Sequence, residues 1–320
     1  MKRGPECSGR LVADIGGTNT RIALFQFTDG RLRAIKHYRN RDFNGLEAVL
    51  SHWLDEHPEA RPRDACIAVA APPEGDCAHM SNCNWSFRGS ELAARFNWDR
   101  VGLINDFQAN AFALPWLQPG DWYEIHPGTA RYARIATLGP GTGLGGAVLD
   151  TGSEPHRAIA CEPGHMALAP QGLQELELWR VLMHEHSRIY SELLLSGPGL
   201  QRLYQALATV DGVVAEPLCG EEISARALAG TDALCAATLR RFCALLGTAS
   251  ADFVLASGAF GGLYLAGGIL PSFPGFLQDS EFYQRFTDRG PMQGHLPRMP
   301  VRVITHPQPG LLGAAHAPLS

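Results

Sequence analysis

Apolar and polar positions along the chain spell out an alternation of strands and helices. "LVADI" (11–15) is an apolar run broken only by Asp14 and reads as a buried strand. "TRIALF" (20–25) alternates at period two and reads as a second strand, so the turn between them makes a hairpin. "RLRAIKHYR" (31–39) supplies a third strand. In "NGLEAVLSHWLDEH" (44–57), Leu46, Val49, Leu50, Trp53 and Leu54 share one helical face, with Asn44 as a cap. "DACIAVAAP" (64–72) is a buried strand, "SELAARF" (90–96) a short helix and "RVGLIND" (100–106) a strand ending on an acid. The order is βββαβαβ, an α/β unit of ordinary domain size.

A second α/β region begins near "QANAFALP" (108–115). "RIATL" (134–138) and "GAVLD" (146–150) read as strands around a Gly-rich turn. Residues 173–260 are mostly helical and include a long amphipathic run, "DALCAATLRRFCALLGTASADFVLAS" (232–257). "GGLYLAGG" (261–268) and "PVRVITHP" (300–307) contain later strands, and "PGLLGAAHA" (309–317) is a final apolar helix. Glycines recur at strand ends: Gly16-Gly17, Gly141 to Gly146, and Gly267-Gly268.

Composition narrows the class without choosing a function. The 320 residues carry a formal net charge of −5 with 18% charged side chains and no basic run, which argues against a nucleic-acid partner. No apolar stretch reaches transmembrane length, so no membrane partner is expected. The polar "MKRGPECSGR" leads straight into the first strand without a secretory pattern. The eight cysteines (Cys7, Cys66, Cys77, Cys83, Cys161, Cys219, Cys235, Cys243) are scattered and read as reduced thiols. The expectation is a cytoplasmic, soluble protein.

Candidate chemistry sits at the strand ends. Gly16, Gly17, Thr18 and Asn19 make a permissive turn whose N–H groups can form an anion nest. Asp14 beside it would repel a bare phosphate, but accords with a Mg²⁺ ion between the two. An ordinary hairpin with a surface Asp is the plain alternative. "LGPGTGLGGAVLD" (138–150) contains a G-x-G-x-x-G spacing at Gly141, Gly143 and Gly146. A dinucleotide fold needs a helix after those glycines, and a β-like segment follows instead. Two Gly-rich hairpins bearing Thr18 and Thr142 suit two faces of a triphosphate, or are two unrelated turns. Gly267-Gly268 allows close approach of a planar group, or close packing.

In "LINDFQANAFALP" (103–115), Asp106 can accept a proton from a hydroxyl nucleophile and Asn105 can bond a neighbouring hydroxyl, or the acid merely caps a helix. "CEPGHMALAP" (161–170) sets Glu162 and His165 around a turn, a combination suited to a polyol. "HEH" (184–186) reads as a solvated helix face, and Glu192 as a routine helix carboxylate.

Taken together, "LVADIGGTNTRIALF", "LINDFQANAFALP", "LGPGTGLGGAVL", "EPGH", "SELLLSGPGL", "LYLAGGILPSF" and "PGLLGAAH" stand in the order found in bacterial glucokinases. The chain thereby resembles the hexokinase-like branch of the actin-like ATPase superfamily from about residue 11 to residue 315. The resemblance implies a two-lobed α/β fold, ribonuclease H-like, with an inter-lobe cleft. It implies a small domain of residues 1–108 plus 304–320 and a large one of 109–303, in a homodimer. It implies ATP and Mg²⁺ as cofactors, and phosphorylation of the glucose 6-hydroxyl in glycolysis. The alternatives are a kinase for mannose, glucosamine or fructose, and a non-catalytic sugar sensor.

By the same resemblance Asp14 faces Mg²⁺ through water, and Gly16, Gly17, Thr18 and Asn19 face the phosphates. Thr142 and Gly143 hold their other side, while Gly267 and Gly268 line the adenosine pocket. Asp106 is the base, and Asn105, Glu162, His165, Glu192 and Asn84 hold sugar hydroxyls. Two departures stand out. "MALAPQG" replaces the Cys-rich zinc motif found after this His in related kinases and repressors, and Pro163 stands where the related motif has glycine.

Overall fold

The computed structural model describes residues 9–319 and divides into two compact units. Cys7 lies outside the described residues. The first unit comprises the chain to Leu117 with segments 153–160 and 306–320, and the second comprises 118–152 and 161–305.

In the first unit the elements are β1 (Gly9–Ile15), β2 (Asn19–Gln26), β3 (Arg31–Arg39), α1 (Leu46–Glu56), β4 (Asp64–Val69), β5 (Cys77–Met80), β6 (Trp85–Arg88), α2 (Gly89–Phe96), β7 (Arg100–Asn105) and α3 (Asp106–Ala113). A five-stranded sheet runs β3-β2-β1-β4-β7. Its β1–β2 and β2–β3 pairs are antiparallel, and β4 lies parallel to both β1 and β7. Leu11, Val12, Ala13 and Ile15 are fully buried, as the nearly unbroken apolar run requires of a strand covered on both faces. Leu11, Ala13 and Ile15 face the core in which α1 buries Leu46, Val49, Leu50 and Trp53. β5 and β6 pair as a hairpin that is not among the elements expected above. Its turn contains Asn84, which takes φ 54°, a left-handed conformation that asparagine tolerates.

The second unit contains β8 (Trp122–His126), β9 (Arg134–Pro140), β10 (Leu144–Asp150), α4 (Leu173–Leu182), α5 (Ser191–Leu194), α6 (Gly197–Val210), α7 (Gly220–Ala229), α8 (Ala233–Ser257), β12 (Leu263–Leu265), α9 (Pro274–Asp279), α10 (Phe282–Thr287) and β13 (Val301–Ile304). β11 (Arg157–Cys161) precedes α4, and α11 (Pro309–His316) closes the chain within the first unit. β9 pairs antiparallel with β10 and parallel with β12, so the Gly-rich segment is a hairpin and no helix follows it. β12 continues in parallel to β13, and β13 pairs antiparallel with β8. Asp232 caps α8 through the Cys235 N–H, and Gly258 ends it at φ 65°. The expected amphipathic helix is instead buried on every side from Phe242 to Ala251, because it forms the middle of the helical layer. "HEH" is not helical: it occupies the turn after α4, where His184 and Glu185 are exposed.

The expected domain limit at residue 108 falls inside α3. That helix and α11 pack so closely that a methyl on Gly313 would stand 1.6 Å from the Ala109 carbonyl oxygen. Arg10, buried at the start of β1, donates to the carbonyls of Ala314, Ala315 and Ala317 and so holds the C-terminal end of α11.

Candidate active site

In the first unit, Asp14 stands one residue before the end of β1, and the chain turns through Gly16–Asn19 into β2. The turn closes on itself, with the Gly16 N–H bonded to the Asn19 carbonyl at 2.9 Å. Asn40, a buried residue that drew no notice in the sequence, pins it from outside. Its amide donates to the Gly16 carbonyl, its N–H bonds the Thr18 carbonyl, and its side-chain oxygen accepts from the Thr20 hydroxyl. Thr18 and Asn19 stay exposed at the tip. Asn82, from the β5–β6 turn, lies against Gly17, whereas Asn84 of that turn is exposed.

Burial raises the Asp14 carboxyl above the usual carboxylate range, against the pull of Arg21, whose Nη1 lies 3.4 Å from Oδ2. Asp106 opens α3 at the end of β7. Burial first, and then the Asp14 charge, push its carboxyl up to about 7. The cap of α3 is Asn105 rather than Asp106. Its side-chain oxygen accepts from the Phe107 and Gln108 N–H groups, and Gln108 reciprocates by accepting from the Asn105 N–H. Asp106 Oδ1 also accepts from the Phe107 N–H at 2.9 Å. The "ND" pair thus divides cap and perturbed acid between two residues. Among the described residues no three His, Cys, Asp or Glu side chains gather as a metal cage. A single carboxylate at a Gly-rich turn, with a second near enough to feel its charge, suits Mg²⁺, which keeps several waters and takes few protein ligands.

In the second unit, the β9–β10 turn exposes Thr142 and is drawn closed by the Gly141 N–H on the Gly143 carbonyl. The turn at Pro163–His165 leaves Glu162 and His165 exposed. The Pro163 ring has a seat of its own: a methyl on Gly146 would stand 2.6 Å from Pro163 Cγ. The third glycine of the G-x-G-x-x-G spacing therefore makes room for this proline, not for a pyrophosphate. Glu192, on α5, accepts from the Leu144 N–H at 2.8 Å and lies against Gly143 and Gly164. A cavity of about 420 Å³ opens beside His165, lined also by Glu185, His186, Arg188 and Tyr190. Gly267, at φ 89°, sits so near the Pro140 carbonyl that packing alone demands glycine, while Gly268 faces open space. The structure thus brings Asp14, Asp106 and the Gly16–Asn19 turn together in one unit, and Glu162, His165, Glu192, Thr142 and Gly143 together in the other.

Comparison with known proteins gives the family. The family model described as Glucokinase matches residues 11–319. The glucokinase of Saccharophagus degradans is 40% identical over 309 residues, covering 95% of this chain and 96% of its own. The crystal structure of a glucokinase from an Antarctic psychrotroph superposes with a TM-score of 0.89 at 37% identity, covering 97% of this chain and 98% of its own. A ROK family glucokinase from Streptomyces griseus, solved with glucose and AMPPNP, shares the fold at a TM-score of 0.65 and 19% identity, over 96% of this chain and 98% of its own. Two α/β units, each carrying a Gly-rich hairpin, define a sugar kinase of the actin-like ATPase fold. The chain belongs to the glucokinase family.

Proposed function

We infer that the protein transfers the γ-phosphoryl group of ATP to the 6-hydroxyl of glucose, in the cytoplasm and as a homodimer, with the two units as its two domains. Family membership over nearly the whole chain supports glucose as acceptor and ATP as donor. The observation that carries the mechanism is Asp106, a partly buried carboxyl at a strand end, pushed up to about 7 by desolvation and by the Asp14 charge. A group titrating near neutral pH can take the 6-hydroxyl proton as the oxygen attacks and release it afterwards. Asn105 keeps its amide N–H₂ for a neighbouring hydroxyl while its oxygen is spent on the cap.

Glu162, His165 and Glu192 are assigned to the remaining hydroxyls, Asn84 at most to a peripheral one. Gly16–Asn19 and Thr142–Gly143 are assigned to the phosphates, and Gly268 with Gly267 to the adenosine. Asp14 is assigned to Mg²⁺ through water. The ion, when bound, neutralises charge on the phosphate oxygens. Most of the acceleration then comes from positioning and charge neutralisation, with proton transfer late. The test is ADP release followed in a coupled assay with ATP, Mg²⁺ and a panel of hexoses. Glucose is expected to be the best acceptor. No ADP release with any hexose would leave a sugar sensor, and a strong preference for mannose, glucosamine or fructose would move the substrate.

A further inference from the structure

We propose that Glu192 couples the sugar turn to the second Gly-rich turn, so that occupation of either one pre-organises the other. The proposal deepens the glucose kinase reading and rests on it. Glu192 Oε2 accepts from the Leu144 N–H at 2.8 Å, at the foot of the Gly141–Gly143 turn. The same oxygen would lie 2.4 Å from a methyl on Gly143 and 3.3 Å from one on Gly164. One carboxylate therefore packs between the turn that bears Thr142 and the turn that bears His165.

The backbone around Glu192 makes the same connection. The Ser191 N–H bonds the Met166 carbonyl, directly after His165, at 2.9 Å. Six residues on, the Gly197 N–H bonds the Gly141 carbonyl at 2.8 Å. Between these, the Ser196 hydroxyl donates to the Glu192 carbonyl and accepts from the Gly199 N–H. Segment 191–199 is thus fastened to both turns, and its one carboxylate touches both.

A carboxylate offers about four acceptor sites on two oxygens. With Oε2 engaged by the Leu144 N–H, Oε1 remains to accept from a sugar hydroxyl. A sugar so held fixes the carboxylate plane, and with it the direction of the Leu144 N–H and the shape of the Gly143 turn. Coupling of this kind is reciprocal: a nucleotide that orders the Gly143 turn must tighten sugar binding by the same factor.

Gly143→Ala tests this through a residue assigned to nucleotide. Its methyl would stand 2.4 Å from Glu192 Oε2 and so displaces the carboxylate. Gly141→Ala is the control, since its methyl meets nothing within 4 Å. Glucose is titrated calorimetrically without nucleotide. Gly143→Ala is expected to weaken glucose at least about ten-fold, the scale of one charge-assisted hydrogen bond, and Gly141→Ala by less than about two-fold. A second arm uses Glu192→Ala, with AMPPNP titrated in the presence and absence of glucose. It is expected to bind AMPPNP more weakly even without sugar and to lose the mutual tightening seen in the wild type. Wild-type glucose affinity in Gly143→Ala would overturn the coupling, as would unchanged AMPPNP affinity and tightening in Glu192→Ala. The Glu192→Ala arm decides if Gly143→Ala does not fold. A wild type that binds no glucose would instead bring down the kinase reading, and the coupling with it.

Discussion

Gly310 and the carboxylate of Asp14 leave no room for a side chain between them: a methyl at residue 310 would stand 2.9 Å from Oδ2 and 3.0 Å from Cγ. The last helix of the chain therefore forms one wall around Asp14, one residue before the end of the first strand. Arg10 holds the other end of that helix by three carbonyls. The placement of Asp14 thus depends on residues some three hundred positions away. Gly310→Ala should push the carboxylate aside while sparing the sugar contacts. Turnover should fall by about 10–10²-fold, the cost of misplacing a reacting group by about 1 Å, and the Mg²⁺ concentration for half-maximal rate should rise. A Mg²⁺ titration at saturating ATP checks this, and an unchanged midpoint would remove Asp14 from the metal.

The raised pKa of Asp106 makes a stability statement with a definite sign. The native carboxyl holds its proton up to about pH 7, whereas in the unfolded chain it releases it near 4. Between those values folding takes up a proton, so this group's contribution to stability is lost as pH rises from about 4 through about 7. Asp106→Asn should accordingly be more stable than the wild type at pH 8 by roughly 1–4 kcal/mol, with the difference closing toward pH 4. Urea midpoints at the two pH values decide it. A constant difference would mean that the native carboxyl is not perturbed.

Glu175 is fully buried on α4 and accepts from Arg241 Nη1 at 2.8 Å, Arg285 Nη1 at 2.8 Å and the Gln171 N–H at 2.6 Å. Glu175→Ala leaves two guanidinium groups without their shared partner. The expected loss is about 3–5 kcal/mol, read from urea denaturation. A loss below about 1 kcal/mol would show that water reaches these groups freely.

Glu162 is exposed at its turn and has the capacity to accept from two hydroxyls at once. Glu162→Ala should raise the glucose KM by roughly ten-fold to a hundred-fold. Initial rates across a glucose series measure it. An unchanged KM, with brisk phosphorylation of another hexose, would shift the acceptor and leave the kinase standing.

Much of this architecture is written in local patterns. The turn at Gly16–Asn19 lies between one run buried on both faces and one alternating run, so the hairpin follows from neighbours in sequence. The same holds for β9–β10, where the absence of a helix after Gly146 separates a hairpin from a dinucleotide motif. What escapes the sequence is contact over distance. Asn40 holds the Gly16 turn from beyond β3, and nothing around "RNRD" marks it. Gly310 and Gly146 look like helix and strand glycines until Asp14 and Pro163 are seen against them. Glu192 reads as a routine helix acid because its partner, the Leu144 N–H, is 48 residues away. The β5–β6 hairpin did leave a signal: Asn84 stands directly before "WSFR", whose alternation is complete but only four residues long.

Whether Asp106 takes the proton of the sugar hydroxyl is decided by Asp106→Asn. The variant keeps the size and most of the hydrogen bonding of the side chain but has no base. Glucose affinity by calorimetry and turnover by ADP release are measured on the same preparation. Glucose should still bind, while turnover should fall by roughly 10²–10⁴-fold, the range for a positioned general base. Near-wild-type turnover in a variant that binds glucose normally would contradict the assignment.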